Sequence, residues 1–294
     1  MTIGVEFKSG KSEHDENFPV ASLLIAPRFR VPILAFYRFA RAADDAADHP
    51  TLSERDKFAV LDSLEATLLG KSDAAPDALP LRRALAETGL APRHPLELLV
   101  AFRQDVSKRR YVDWDELMHY CRYSANPVGR FVLDVHGEDQ STWVPSDALC
   151  SALQVINHLQ DCGEDYRALD RVYIPLDALA DQGVGVEALG APKVSPALGA
   201  CLKTVTARAA ELMHEAANLP RRVKDLRLGL ETAAIVKLGN RLIQLLLARD
   251  PLSESVHLSK SAAIWVAARG ASGALYRRIG QQLLPDPAAR GSVR

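Results

Sequence analysis

Apolar and polar residues alternate along this chain at helical spacing almost from end to end. Phe18 to Ala26 is predicted as an apolar helix that stops near Pro27, and Pro32 falls in the first turn of a second helix ended by His49-Pro50. From Ser53 to Leu69 apolar residues recur at Phe58, Leu61, Leu64 and Leu68, with Gly70 as the stop. Lys71 to Pro80 reads as loop. Leu81 to Thr88 and His94 to Lys108 read as helices separated by Gly89 to Pro92. Asp113 with Glu116 resembles a capping box, opening a helix that runs to Val135 with a kink at Pro127. Ser146 is predicted to cap the next helix, and Leu169 to Leu176 to be an extended exit from it. Pro192 and Pro196 bracket a loop. Pro196 to Asn218, Val223 to Ala248 and Ser259 to Leu284 again have helical periodicity, before a tail at 285–294 expected to be disordered. No stretch reads as a strand of any length. The expectation is an all-α, single-domain helical bundle over residues 1–284, with a central cavity as the site.

Composition narrows the partner. The chain has 294 residues, 48% of them hydrophobic, with no Pro/Gly/Ser-rich linker, which is ample for one sizeable core. A net charge of −1 lacks the basic footprint of nucleic-acid binding, so a small molecule or another protein is expected. Cys121, Cys150, Cys162 and Cys201 are widely spaced, which predicts reduced thiols in a cytoplasmic protein and no zinc site. Met1 to Asn17 is polar and acid-bearing, unlike a secretory signal, and no apolar run is long enough to span a bilayer.

Two acidic stretches carry the candidate chemistry. In Gln154 to Asp165, a helical turn of about 100° per residue places Gln154, Asn157, Asp161 and Asp165 in one stripe. In Tyr37 to Asp48 the same plan gives Tyr37, Arg41, Asp44 and Asp48. Acids one turn apart usually decorate a solvated face. Here both stripes lie within apolar helices, among Phe36 and Phe39 or Val155, Ile156 and Leu159. Four carboxylates across a narrow cavity would raise one another's pKa, a conflict that a divalent cation removes. Oxygen ligands without Cys favour Mg²⁺ bridged to phosphate oxygens. The residues therefore point to a Mg²⁺-held diphosphate between facing helices, with Arg41 and Arg171 as charge partners. A rival of another class is a di-iron bundle, because Glu116/His119 and Glu211/His214 are two Glu-x-x-His pairs. It lacks apolar-flanked glutamates on two further helices.

These stretches, with Asn17-Phe18, Tyr120-Cys121, Val128-Gly129 and Arg171-x-Tyr173-x-Pro175, resemble the squalene/phytoene synthases over most of the chain. The resemblance implies the isoprenoid synthase fold, a Mg²⁺ cluster on Asp44, Asp48, Asn157, Asp161 and Asp165, and a tunnel for farnesyl-type chains. It also implies diphosphate contacts from His14, Asn17, Arg41, Tyr120, Gln154 and Arg171. A non-catalytic assembly factor of the same fold would have lost the aspartates, which are all present here.

Departures from the family pattern refine this expectation. Gln160 stands before Asp161 where members joining two prenyl diphosphates have Arg. Ser124-Ala125-Asn126-Pro127 replaces Val-Ala-Gly after the Tyr-Cys motif, and Lys237 and Ser255 replace an aromatic residue and an Arg. Glu16 to Ser22, Phe36 to Asp45, Phe102 to Val106, Pro127 to Phe131 and Asn157 to Asp165 resemble the hydroxysqualene-forming branch of bacterial hopanoid biosynthesis. That resemblance implies presqualene diphosphate as substrate, water capture, and hand-over with a presqualene diphosphate synthase and a hydroxysqualene-reducing enzyme; polar Asn126 beside Pro127, or His158, is the candidate for positioning the water, beside an ordinary packing or hydrogen-bonding role. The alternative within the family is a head-to-head prenyltransferase making presqualene diphosphate or phytoene. The last helix, with Trp265, Arg269, Tyr276, Arg277 and Arg278, is a candidate for peripheral contact with the inner membrane surface.

Overall fold

A computed structural model describes residues 24–283. The predicted helix from Phe18, the calls on His14 and Asn17, and the tail at 285–294 lie outside those residues. Thirteen α-helices are formed among the described residues: α1 Pro27–Ala47, α2 Glu54–Leu68, α3 Leu79–Thr88, α4 Arg93–Ser107, α5 Trp114–Ser124, α6 Asn126–Val135, α7 Trp143–Gln160, α8 Cys162–Leu169, α9 Leu176–Ala180, α10 Pro196–Ala216, α11 Leu219–Arg222, α12 Leu226–Ala248 and α13 Lys260–Leu283. No strand occurs among the described residues, and Arg110 and Val172 form one isolated parallel bridge. The all-α expectation holds.

The helices gather around two hydrophobic clusters. Phe36, Phe39, Leu61, Leu64, Leu81 and Leu98 build one from α1 to α4. Leu117, Leu149, Val155, Ile156, Val205, Leu228 and Leu242 belong to the other, from α5 to α12. Phe131 of α6 joins the first cluster, stacking on Phe36 with centroids 4.2 Å apart. Gly129 brings α6 close to α7: a Cβ there would lie 2.5 Å from Ser146 Oγ and 2.6 Å from Cys150 Sγ.

Several boundaries differ from the periodicity. Helix α1 begins at Pro27, so Pro32 lies inside it rather than in its first turn. Ser53 caps α2 through Asp56 N. Asp113 Oδ1 accepts from Glu116 N at 2.9 Å, but the returning half of the capping box reaches Val112 N instead of Asp113 N. The predicted kink at Pro127 is a full break at Ala125, with Pro127 in the first turn of α6, where its missing N–H is tolerated. Ser146 is not a cap. A short 3₁₀ turn, Gln140–Thr142, with Asp139 capping it, leads into α7 at Trp143. Propensity did not reveal α9 and α11, which have five and four residues.

One break bears on the site. The second acidic stretch is two helices, with Asp161 between α7 and α8 at φ −101° and ψ 6°. Asp161 N donates to Asn157 O at 3.0 Å and Asp165 N to Asp161 O at 2.8 Å, so the one-turn spacing of the acids survives the bend.

Candidate active site

The two acidic stretches face a cavity of about 270 Å³. Helix α1 supplies Asp44 and Asp48, α5 supplies Tyr120, and α7 supplies Gln154, Asn157 and His158. Asp161 at the helix junction, Asp165 of α8 and Arg171 complete the predicted set that lines it. Arg41 stands behind the lining, with Nη1 2.9 Å from Asp44 Oδ2 and Nη2 2.8 Å from Asp45 Oδ1. Asn126 does not line this cavity: it is buried, and its Oδ1 accepts from Ser151 Oγ at 2.9 Å.

Sequence reasoning missed Asp105 as a site residue. It lies in α4 on the same side as buried Leu98 and Ala101, and its carboxylate accepts from Tyr120 Oη at 2.9 Å and Tyr173 Oη at 3.3 Å. The available signal was a single acid on the apolar face of a helix. Its backbone carbonyl accepts from Arg171 Nη2 at 2.9 Å. The same Nη2 is 2.6 Å from Asp48 Oδ1, so one buried guanidinium links the first stretch to α4.

The acids are held in an unfavourable state. Burial, and then the neighbouring charge of Asp48, raises Asp44 to about 7, against the partial offset of Arg41. Burial and Asp161 raise Asp165 to about 7. Burial raises Asp105 to about 6 although Arg171 and Tyr120 oppose it. Burial also pushes the Tyr120 and Tyr173 hydroxyls up, so both stay protonated donors. Among the described residues no group of three or more His, Cys, Asp or Glu side chains is arranged to hold a metal ion without further ligands. Separated oxygen donors that destabilise one another suit a hard divalent cation that keeps part of its water shell. The rival di-iron pairs are not brought together in this way. Glu116 is paired with Lys108, while Glu211 and His214 line an open groove on α10.

His158 and Gln160 occupy different environments. Burial, reinforced by Arg171, lowers His158 to about 3, so its imidazole is neutral. It stacks on Tyr173 at 3.5 Å between centroids, and its Nε2 is 3.2 Å from Gln154 Nε2. Gln160 points to the loop between α12 and α13, its Nε2 donating to Val256 O at 3.0 Å with His257 Nδ1 at 3.2 Å. His257 Nε2 in turn lies 3.7 Å from Asp161 Oδ1.

A second cavity, of about 310 Å³, follows the same helices away from the acids. Ile33, Phe36, Tyr37 and Ala40 of α1 face Leu149 and Leu153 of α7, with Val128 and Val132 of α6 and Leu228 and Ile235 of α12. Tyr37, expected in the acidic stripe, thus lines the apolar end. Glu231, Thr232 and Ser146 add polar atoms to a mostly apolar wall. Residues 40 and 44 of α1 are one helical turn apart, so the polar and apolar spaces adjoin along one helix.

The family model described as squalene/phytoene synthase matches residues 11–262. A hydroxysqualene synthase of Rhodopseudomonas palustris is 54% identical over 292 residues, covering 99% of this chain and 100% of that protein. A hydroxysqualene synthase of Sinorhizobium fredii is 53% identical over 88% of this chain and 89% of its own length. The crystal structure of a dehydrosqualene synthase in complex with ligand shares the fold, with a TM-score of 0.75 at 20% identity over 86% of this chain and 89% of that one.

Proposed function

The chain belongs to the squalene/phytoene synthase family, and from that premise we propose that it converts presqualene diphosphate and water into hydroxysqualene and diphosphate. The observation that carries this reading is an acid-lined cavity with an apolar one adjoining it along α1 and α7, an arrangement suited to one diphosphate with a long hydrocarbon. Near full-length identity to proteins named hydroxysqualene synthase supports the same assignment.

The family generally uses a divalent metal. Asp44, Asp48, Asn157, Asp161 and Asp165 would hold Mg²⁺, which when bound offsets charge on the diphosphate. Arg171, fixed by Asp48 and the Asp105 carbonyl, and Arg41 add positive charge for the leaving group. The C–O bond breaks with its electron pair on the diphosphate, leaving a cyclopropylcarbinyl cation. Ring opening and attack by water form the new C–O bond, and the water loses one proton. No electrons enter, so no reductant is required.

Neutral His158 lines the cavity; its one acceptor nitrogen, Nε2, is taken by the Gln154 amide N–H, so the ring faces that water with an N–H donor and without repelling the cation. Asn126 is engaged by Ser151, which favours His158 for the positioning role. The deciding experiment supplies presqualene diphosphate, Mg²⁺ and ¹⁸O-labelled water without NADPH. Labelled alcohol is expected; unlabelled alcohol, or none, refutes water capture. Efficient turnover of farnesyl diphosphate alone to presqualene diphosphate would refute the substrate assignment.

A further inference from the structure

Helix α13 turns an apolar stripe to solvent. Ile264 is 70% exposed, Trp265 61% and Tyr276 81%, and Leu275 and Ile279 are exposed beside them. Their spacing puts them along one side of the helix over roughly 22 Å. The helix has no acidic residue. Packing sets which side faces out. A Cβ at Gly270 would stand 2.7 Å from Ala233 O, so α13 lies directly against the backbone of α12. Arg278 donates to the carbonyl oxygens of Pro220, at 3.2 Å, and Val223. It therefore serves the inner side and not the outward basic set.

A groove of about 570 Å³ runs beside the stripe between α12 and α13. Lys237, Arg241, Arg249, Arg269 and His257 line it together with Trp265, and no lining residue is acidic. Arg269 lies 4.6 Å from the Trp265 ring centroid. Arg241 bonds to Gln244 at 3.0 Å and Arg249 to the Ser255 carbonyl at 2.7 Å, both neutral partners. The positive charge of the groove is thus unbalanced by any lining carboxylate.

We infer that the α12–α13 face docks on the surface of an anionic lipid bilayer. Ile264, Trp265 and Tyr276 enter the interface, while Lys237, Arg241, Arg249 and Arg269 lie at headgroup level. An apolar stripe alone fits any apolar partner. Cations around an exposed Trp, with no acid among them, select a surface that is both apolar and negatively charged. No described helix is long and apolar enough to cross a membrane, so this contact is peripheral. The contact of His257 with Asp161 places the docked face next to the acid cavity. This inference does not depend on which diphosphate the site takes.

Co-sedimentation of the full chain with vesicles of phosphatidylcholine plus phosphatidylglycerol, against phosphatidylcholine alone, tests it. Binding is expected only with the anionic vesicles and is expected to weaken as salt is raised. Arg241→Gln with Arg269→Gln should reduce binding by about tenfold or more. Trp265→Ser with Tyr276→Ser, at exposed positions, should remove the blue shift of tryptophan emission on vesicle addition while the melting temperature stays unchanged. Equal binding to both vesicle types, no binding, or full binding by both double variants overturns the inference. A concentration-dependent dimer dispersed by Trp265→Ser with Tyr276→Ser, without vesicle binding, assigns the face to a second copy and equally overturns it.

Discussion

The two acidic stretches have the same spacing in the sequence and different surroundings in the fold. Asp44 and Asp48 stand at the end of one unbroken helix, where Arg41, a turn earlier, already pairs with Asp44 and Asp45. Asp161 and Asp165 straddle a break between α7 and α8, and no arginine of their own stretch pairs with either among the described residues. The first stretch is thus partly neutralised within itself and through Arg171. In the second, the charge of Arg171 also reaches Asp165, and His257 stands 3.7 Å from Asp161. Equal motifs need not carry equal shares of a bound cation.

The largest expected effect breaks the second stretch. Asp161→Ala should lower turnover by about 10²- to 10³-fold or more, while far-UV circular dichroism retains the helical spectrum. Retained activity would remove Asp161 from the cation site. Asp44→Ala, whose partner Arg41 remains, is expected to cost less; an equal or larger loss would erase the asymmetry between the stretches.

Arg171→Met tests the link between them. Asp48 would lose its ion partner and the Asp105 carbonyl its donor, so denaturant unfolding should show a loss of about 3 kcal/mol, near the lower end for a broken buried pair because Asp48 is partly exposed. A change within the error of a surface substitution would make Arg171 dispensable to the frame.

A pH series sharpens the comparison further. Asp44, Asp165 and Asp105 all have carboxyls raised above their ordinary value of 3.8, to about 7, 7 and 6. Between the ordinary and raised values the folded chain binds more protons than the unfolded chain. Metal-free protein should therefore lose stability from these groups as pH rises through that window, with little further change above about 7. Mg²⁺ with inorganic diphosphate binds the ionised carboxylates, so its increase in melting temperature should be larger near pH 8 than near pH 5. A larger increase at the lower pH would contradict the metal assignment.

Gln160→Ala should have the smallest effect. It removes the bond to Val256 O that holds the α12–α13 loop to the second stretch, and is expected to cost about 1 kcal/mol of stability.

Much of the site was legible because its residues recur at helical spacing. Gln154, Asn157, Asp161 and Asp165 were placed on one stripe from their separations, and they line one cavity. Asp105 was not placed there. A lone acid on the apolar side of α4 has no periodic partner, and its role comes from Tyr120, Tyr173 and Arg171, which are distant in sequence. Asn126 was read from its place beside Pro127, whereas Ser151 on a neighbouring helix takes its amide oxygen. The breaks at Ala125 and Asp161 were similarly hidden, since apolar periodicity runs through both.

Local spacing settled the all-helical class, most helix spans and the pairing of acids, because helix geometry is a property of neighbours a few residues apart. Tertiary packing decided the rest. It brought Arg171 onto Asp48, turned Gln160 towards the α12–α13 loop, placed Tyr37 in the apolar cavity and pressed α13 against α12 at Gly270, leaving Trp265 and Tyr276 outward. Those outcomes depend on which helix faces meet, and contacts between segments tens to hundreds of residues apart leave no period in the chain.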